Sequence, residues 1–436
     1  MRTPRWLLPL LLVSVPAGAC AEPRPITLQE AVRLARENAP SVVQARGQER
    51  SSDAAVRAAY GAFLPSLSLS AGATRRYPAG GTRVDPQTQQ VISSGDPWGY
   101  STGLTASVDL FRGGQRFWDI RETRARDAAA EAGIVNQQFV ATLNAKQQFF
   151  NVLAARESEI AAAAQLEQAE QQRRTSVALT RARQATRSDS LRAEIQLRNA
   201  QLAVADAHNA AQVADASLTR AVGSDEPVTA ADMAPGDSLA EALPLAEEEI
   251  ASLAERGPLV TQSESLLRAA RAANTMVWTD YLPSASLSYS RGGTGDEADL
   301  RIPDGLRYTG ALRLSFSVPI FDQLQREERH VQSDVAEDNA KAALRDARLA
   351  AREGVVQWLG NYRVAQQKVL AQAATVEAAE EDLRVQQQRY AVGGSTLLDV
   401  LTSQTQLNQA RRDLIQARYD QRVAKAQLEA LVGRDL

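Results

Sequence analysis

Few side chains here carry chemistry by type and spacing. The sequence has one cysteine, Cys20, and two histidines, His208 and His330, in 436 residues. Cys20 directly follows Ala17, Gly18 and Ala19, small residues of the kind that precede a processing cut, so its thiol is a candidate for acylation. His208 and His330 stand alone on helical segments, where surface imidazoles fit better than metal ligands. There is no phosphate-binding Walker loop, no dinucleotide fingerprint and no His-Glu-x-x-His pair. No nucleophile, base and orienting group are set out together either. No catalytic residue, cofactor or metal site is therefore expected. Two short polar turns remain. Ala185-Thr186-Arg187-Ser188 leads into Asp189, and Gly393-Gly394-Ser395-Thr396 leads towards Asp399. An acid just past a turn accepts backbone N–H groups and starts a helix, so both aspartates read as N-caps. Arg181, Arg183 and Arg187 crowd the first turn, where positive charge suits a helix C-terminus.

The amino terminus is an address. Arg2 and Arg5 precede an apolar run from Trp6 to Val15, then the small residues before Cys20. That order describes an export signal over residues 1–19, too short for a membrane anchor. Two readings of Cys20 stay open. It is either the lipidated first residue of the mature chain, with Ala17 where a lipobox usually has Leu, or incidental to cleavage after Ala19 or Ala21. The chain is 44% hydrophobic and 23% charged, which marks an ordered protein. A net charge of −3 and a pI near 5.7 give no reason to expect nucleic acid as a partner. Aromatic residues are only 5%, and abundant Ala, Gln and Arg lean towards long helices.

The positions of these turns follow from an internal duplication. Phe63-Leu64-Pro65-Ser66-Leu67-Ser68-Leu69-Ser70 recurs as Tyr281-Leu282-Pro283-Ser284-Ala285-Ser286-Leu287-Ser288, 218 residues later. Val108-Asp109-Leu110-Phe111 recurs as Val318-Pro319-Ile320-Phe321, 210 residues later. Asp189, Leu191, Gln196 and Leu197 recur at that same offset as Asp399, Leu401, Gln406 and Leu407. The change of offset falls inside each copy, where a loop is expected. The chain therefore divides into a first structural repeat at 20–223, a linker at 224–243 rich in Asp, Pro, Ala and Ser, and a second repeat at 244–436.

Each copy opens with helices. Thr27 and Glu30 form a capping-box pattern before Leu28–Asn38, and a second helix follows at about 41–62, with its partner near 258–279. Strands come next. Leu67, Leu69, Ala71 and Ala73 alternate with serines, and Leu104, Ala106, Val108 and Leu110 alternate with Gly103, Thr105, Ser107 and Asp109. The second copy repeats this at 284–289 and 311–320, giving four strands with one apolar and one polar face each. The segments between them, 74–100 and 291–307, read as exposed loops. Residues 116–184 then lack Gly and Pro except Gly133, which amounts to roughly 100 Å of helix. A counterpart runs over 326–391. Each ends in one of the polar turns and returns as a helix, 189–222 or 399–432.

Four amphipathic strands cannot close a barrel alone and leave two raw edges. Long helices with frequent Ala and no sustained a/d zipper also need neighbours. A closed multi-chain membrane barrel answers both needs, with Ser and Thr facing water and Leu, Val and Phe facing lipid. The competing reading, a periplasmic structural coiled coil without channel activity, explains the helices but not the strands.

Taken in order, these residues resemble the TolC family of outer-membrane efflux ducts. The marks are Leu28-Gln29-Glu30-Ala31-Val32, Asn38-Ala39-Pro40, the twin Leu-Pro-Ser strands, Phe111-Arg112-Gly113-Gly114-Gln115-Arg116, and Tyr390 with Asp399-Val400-Leu401. The resemblance spans nearly the whole mature chain. It implies a mostly helical fold with a membrane β-barrel: a homotrimer whose α-helical barrel continues into a 12-stranded β-barrel, four strands per protomer. It implies a passive duct in a tripartite efflux or type I secretion system, exporting small molecules with an inner-membrane transporter and a periplasmic adaptor protein. The linker would sit at the equator. Tyr390 and Asp399 match positions that hold or constrict the periplasmic entrance, where converging Asp399 side chains would repel anions. Ser395 stands where the family often has a locking Arg, and Thr402 where a second acid can occur. These departures imply an entrance held less tightly or by other contacts. Arg183, Thr186, Arg187, Ser188, Gly393 and Gly394 would form the tips that meet the adaptor.

Overall fold

The computed structural model describes residues 23–75, 77, 82–84, 91–93, 98–232, 246–295, 307–434 and 436. Its elements are β1 (Arg24–Ile26), α1 (Leu28–Asn38), α2 (Pro40–Gly61), β2 (Ser66–Arg75), β3 (Thr82–Val84), β4 (Val91–Ser93), β5 (Trp98–Arg112), α3 (Gln115–Arg181) and α4 (Arg187–Val222). The chain continues through β6 (Val228–Ala230), α5 (Glu247–Ala254), α6 (Pro258–Val277), a 3-10 turn at Trp278–Tyr281, β7 (Ser284–Gly295), β8 (Arg307–Ser317), α7 (Gln325–Ala391) and α8 (Leu397–Val432). Two compact units result. One takes the described residues up to 43 together with 137–251 and 354–436; the other takes 44–136 and 252–353. Among the described residues, no helix is long and apolar enough to cross a membrane.

Duplication shows in helix length: α3 and α7 each have 67 residues, and α4 and α8 each have 36. The core of the helical unit sets small residues against large ones. Ala31, Ala35, Ala145 and Ala214 let helices approach around Phe149, Phe150, Leu218 and Tyr419. Gly223 ends α4 at φ 66°, and a Cβ there would lie 2.5 Å from the Asn38 carbonyl oxygen, so glycine is needed for close approach as well as for conformation. Lys146 of α3 donates to Glu429 of α8 at 2.5 Å, a mostly buried ion pair. Tyr419 donates to Glu157 at 3.1 Å, and burial first, then that carboxylate, push its phenol pKa up.

The linker begins differently from its composition. Residues 228–230 form a fully buried strand, parallel to β1 with Ile26 opposite Ala230. Arg156 fixes it by donating to the Ala230 carbonyl at 2.8 Å and to Thr229. Three residues are too few for a periodic signal. The stretch 233–243 lies outside the described residues, as does Cys20.

In the other unit, the strands order as β2-β5-β7-β8, all antiparallel. They extend beyond their alternating segments. β5 begins at Trp98, β7 reaches Gly295 and β8 begins at Arg307, so both expected loops yield residues to ladder pairing, in β5 with Trp98 and Tyr100 on the face of Leu104 and in β7 through Gly, Ser and Thr without hydrophobic alternation. Conversely, β8 stops at Ser317 rather than Ile320, because Pro319 has no N–H to donate. Within the first expected loop, β3 and β4 pair as a small hairpin.

Candidate functional site

Each polar turn joins a long helix to its return helix by the same bonds. At the first tip, the Gln184 N–H donates to the Leu179 carbonyl at 2.9 Å and the Arg183 N–H to Thr180 at 3.1 Å. At the second, the Gly394 N–H donates to Arg389 at 2.7 Å and the Gly393 N–H to Tyr390 at 3.1 Å. These paired bonds close the helix ends around one residue in left-handed conformation. That residue is Arg183 (φ 59°) in the first tip and Gly393 (φ 77°) in the second.

The return helices start two residues earlier than the sequence reading, and their caps are not the aspartates. Thr186 and Thr396, in extended conformation, are the N-caps. Asp189 and Asp399 sit three residues on and close capping boxes. The Asp189 N–H donates to Thr186 Oγ1 at 3.2 Å, and Asp189 Oδ2 accepts from the Thr186 N–H at 3.0 Å. The Asp399 N–H donates to Thr396 Oγ1 at 3.3 Å, and Asp399 Oδ2 accepts from the Thr396 N–H and hydroxyl, both at 2.8 Å. Threonine wins the cap because its hydroxyl both accepts from the backbone and donates to the carboxylate. The Thr396 N–H above all, then its hydroxyl, hold the Asp399 carboxyl below its ordinary pKa, with Arg389 adding to the effect. At the start of α1 the box is only half closed: Glu30 donates its N–H to Thr27, but its carboxylate pairs with Arg24 at 2.8 Å.

The structure brings Tyr390 to the first tip. Tyr390 packs on Leu383, Val400 and Leu407. Its hydroxyl is buried and lacks a well-formed hydrogen bond among the described residues, as does the hydroxyl of fully buried Ser176 that faces it from α3. Burial pushes the Tyr390 pKa up, Ser176 opposes that, and the Asp189 charge adds to it. Ser395 and Thr402 bond within their own hairpin. Ser395 donates to the Gln386 carbonyl at 3.2 Å, and Thr402 donates back to Leu398 at 2.9 Å within α8. Arg183, Thr186, Arg187, Ser188, Gly393 and Gly394 are all exposed.

Two groups escaped the sequence reading. Leu397 opens α8 and is 2% exposed; no periodic pattern marks a single residue beside a turn. Ser403 donates to Asp382 at 2.5 Å, tying α8 to α7 just behind the tip. The histidines have local partners: His208 faces Glu159 at 2.8 Å, and His330 lies beside Asp334 and the Trp278 ring.

The sheet is the second functional surface. Leu67 and Leu69 of β2 and Leu312, Leu314 and Phe316 of β8 project from one face and are all exposed. The opposite face carries Ser66, Ser68 and Ser70 in register with Ser107, Thr105 and Gly103. Each flanking strand keeps one edge unpaired among the described residues.

Long paired helix hairpins, and a four-stranded sheet apolar on one face and hydroxyl-lined on the other, define a protomer of an outer-membrane channel. The chain belongs to the outer membrane efflux protein family, whose pattern matches residues 31–224 and 250–434. It is 27% identical over 394 residues to protein CyaE of Bordetella pertussis, covering 89% of this chain and 80% of that one. Its fold matches a membrane protein from Pseudomonas aeruginosa (TM-score 0.75, 20% identity, 93% of each chain). It also matches the CmeC outer membrane channel of Campylobacter jejuni (TM-score 0.75, 17% identity, 93% of this chain and 85% of that one). The protein is thus a transport channel of the outer membrane with a TolC-like fold, and not an enzyme.

Proposed function

We propose that three copies assemble, β8 of one pairing with β2 of the next, into a 12-stranded barrel that serves as a passive export duct. The observation that carries this is the sheet: two edges unpaired among the described residues and an exposed apolar face, in a chain of the efflux family. Closure satisfies every edge group, which lipid demands. With nothing in the sequence to supply energy, transport is driven by an inner-membrane transporter, joined through a periplasmic adaptor. The system is a tripartite efflux or type I secretion assembly exporting small molecules.

In this reading the tips form the periplasmic entrance. Tyr390, Asp399, Thr402 and Ser395 surround it, and Arg183, Thr186, Arg187, Ser188, Gly393 and Gly394 meet the adaptor. Tyr390 supports this role, since it links one hairpin to the tip of the other. Residues 1–19 are the export signal, Cys20 is the lipidated first residue, and 224–243 form the equatorial link between repeats 20–223 and 244–436. Class averages of detergent-extracted protein by electron microscopy test the assembly. A three-fold hollow tube is expected. A monomer or thin rod that stays soluble without detergent would overturn it and leave the coiled-coil reading.

A further inference from the structure

The polar face of the sheet is hydroxyl-rich and almost without charge, which makes its exceptions informative. Cross-strand register sets Ser66 against Ser107, Ser107 against Ser288, and Ser288 against Arg313, one row across all four strands. Ser66 and Ser107 hydroxyls meet at 2.8 Å. The neighbouring row holds Ser68, Thr105, Ser290 and Ala311. Arg313 is thus a cation set mid-strand among hydroxyls and small side chains. Leu312 and Leu314 project from the other face and are exposed, so the pleat commits Arg313 to the polar side.

Nothing nearby cancels this charge. Among the described residues, the only acid on the polar face of the four strands is Asp109. It lies one row away, opposite Ser286, and is flanked by Arg112 at 3.8 Å and Arg116 at 3.9 Å. Arg313 forms no salt bridge among the described residues and is exposed. A second arginine, Arg307, shares its face at the start of β8, opposite Thr294.

We infer that Arg313, contributed once by each protomer, forms a positive ring inside the barrel and makes this segment favour anionic over cationic solutes. The inference rests on the proposed trimeric barrel. The physics is that of charged rings in pores: arginine rings serve anion passage, and a low-dielectric wall focuses their field on the water inside. Lumen-facing substitutions in such barrels tune selectivity without disturbing the lipid face. The ring is opposite in sign to Asp399 at the proposed entrance, so whole-channel conductance mixes the two. A local probe separates them.

The experiment places a thiol in the Arg313 row with Ser288→Cys. Modification rates are measured with a sulfonate-bearing and a trimethylammonium-bearing methanethiosulfonate, as the increase over the parent trimer, whose one cysteine is Cys20. The anionic reagent is expected to gain. Arg313→Ser should lower the anionic-to-cationic rate ratio by about sevenfold for each kT of local potential removed. Arg313→Lys, which keeps the charge, should retain the ratio and so control for folding. A ratio unmoved by Arg313→Ser overturns the ring. A Ser288→Cys site that neither reagent reaches, while Leu287→Cys on the other face reacts, removes the water-filled barrel itself.

Discussion

Arg183 and Gly393 hold equivalent places in the two tips, both left-handed, at φ 59° and 77°. Around them the turn bonds and capping boxes coincide. What fills the two tips does not. Where the first places exposed Arg187 at the start of its return helix, the second places Leu397, 2% exposed. The backbone needs of a helix reversal have kept one solution in both copies, while side-chain packing has separated. The second tip is anchored by an apolar side chain; the first is solvated and carries a side chain where the backbone favours none. The largest expected effect tests that anchor. Leu397→Ala should destabilise the second tip by about 2–5 kcal/mol, the usual loss for a buried leucine. Arg187→Ala should stay within about 0.5 kcal/mol. Hydrogen exchange of the amides around each turn measures both. Equal responses would mean that the burial of Leu397 anchors nothing.

The left-handed residues sharpen the comparison through opposite signs. Gly393→Ala should weaken its tip by about 1–2 kcal/mol, the steric penalty of a side chain in that conformation. No atom lies within 4 Å of the added Cβ, so the effect is purely one of backbone conformation. Arg183→Gly removes the same penalty from the first tip and should stabilise it by about 0.5–1 kcal/mol, part of the gain being offset by a freer unfolded chain. Exchange at Gln184 and Gly394, whose N–H groups close the two turns, reports each change. Shifts of the same sign would contradict a shared turn geometry.

Much of this was legible in the sequence because duplication wrote it twice. The four strands, the two long helices, the family and the location of the tips all follow from repeated motifs and period. Boundaries were less legible where competing interactions decide them. Asp189 and Asp399 look like caps by type, but a threonine three residues earlier serves better, since its hydroxyl bonds in both directions. The strand end at 290–295 carries no hydrophobic alternation, because its Gly, Ser and Thr pair by backbone alone, whereas Trp98 and Tyr100 extend the alternation of β5 into what the Gly- and Pro-rich composition marks as loop. Val228-Thr229-Ala230 is too short to show a pattern and is held by Arg156, 73 residues away at its Thr229 contact. Tyr390 was legible as a position but not as a contact, because Ser176 and Asp189 reach it from the other repeat.

The smallest effect separates two roles of Asp399. Bonds from Thr396 lower its carboxyl pKa in the folded tip. A lowered folded pKa gives stability that is present above the unfolded value, about 3.9 for Asp, and is lost as pH falls through the folded one. Acidification should therefore loosen the second tip only below that value. Asp399→Asn should abolish this pH dependence, since the amide oxygen still accepts from Thr396 but no longer titrates. Protection factors at residues 396–400, corrected for intrinsic exchange, follow the loss, and an unchanged profile in Asp399→Asn would sink the assignment. Convergence of three Asp399 carboxylates on one axis works in the opposite direction, because like charges raise one another's pKa. A midpoint below about 3.9 in the trimer leaves Asp399 as the capping-box partner of Thr396 alone. A midpoint above it places the three carboxylates together at the proposed entrance.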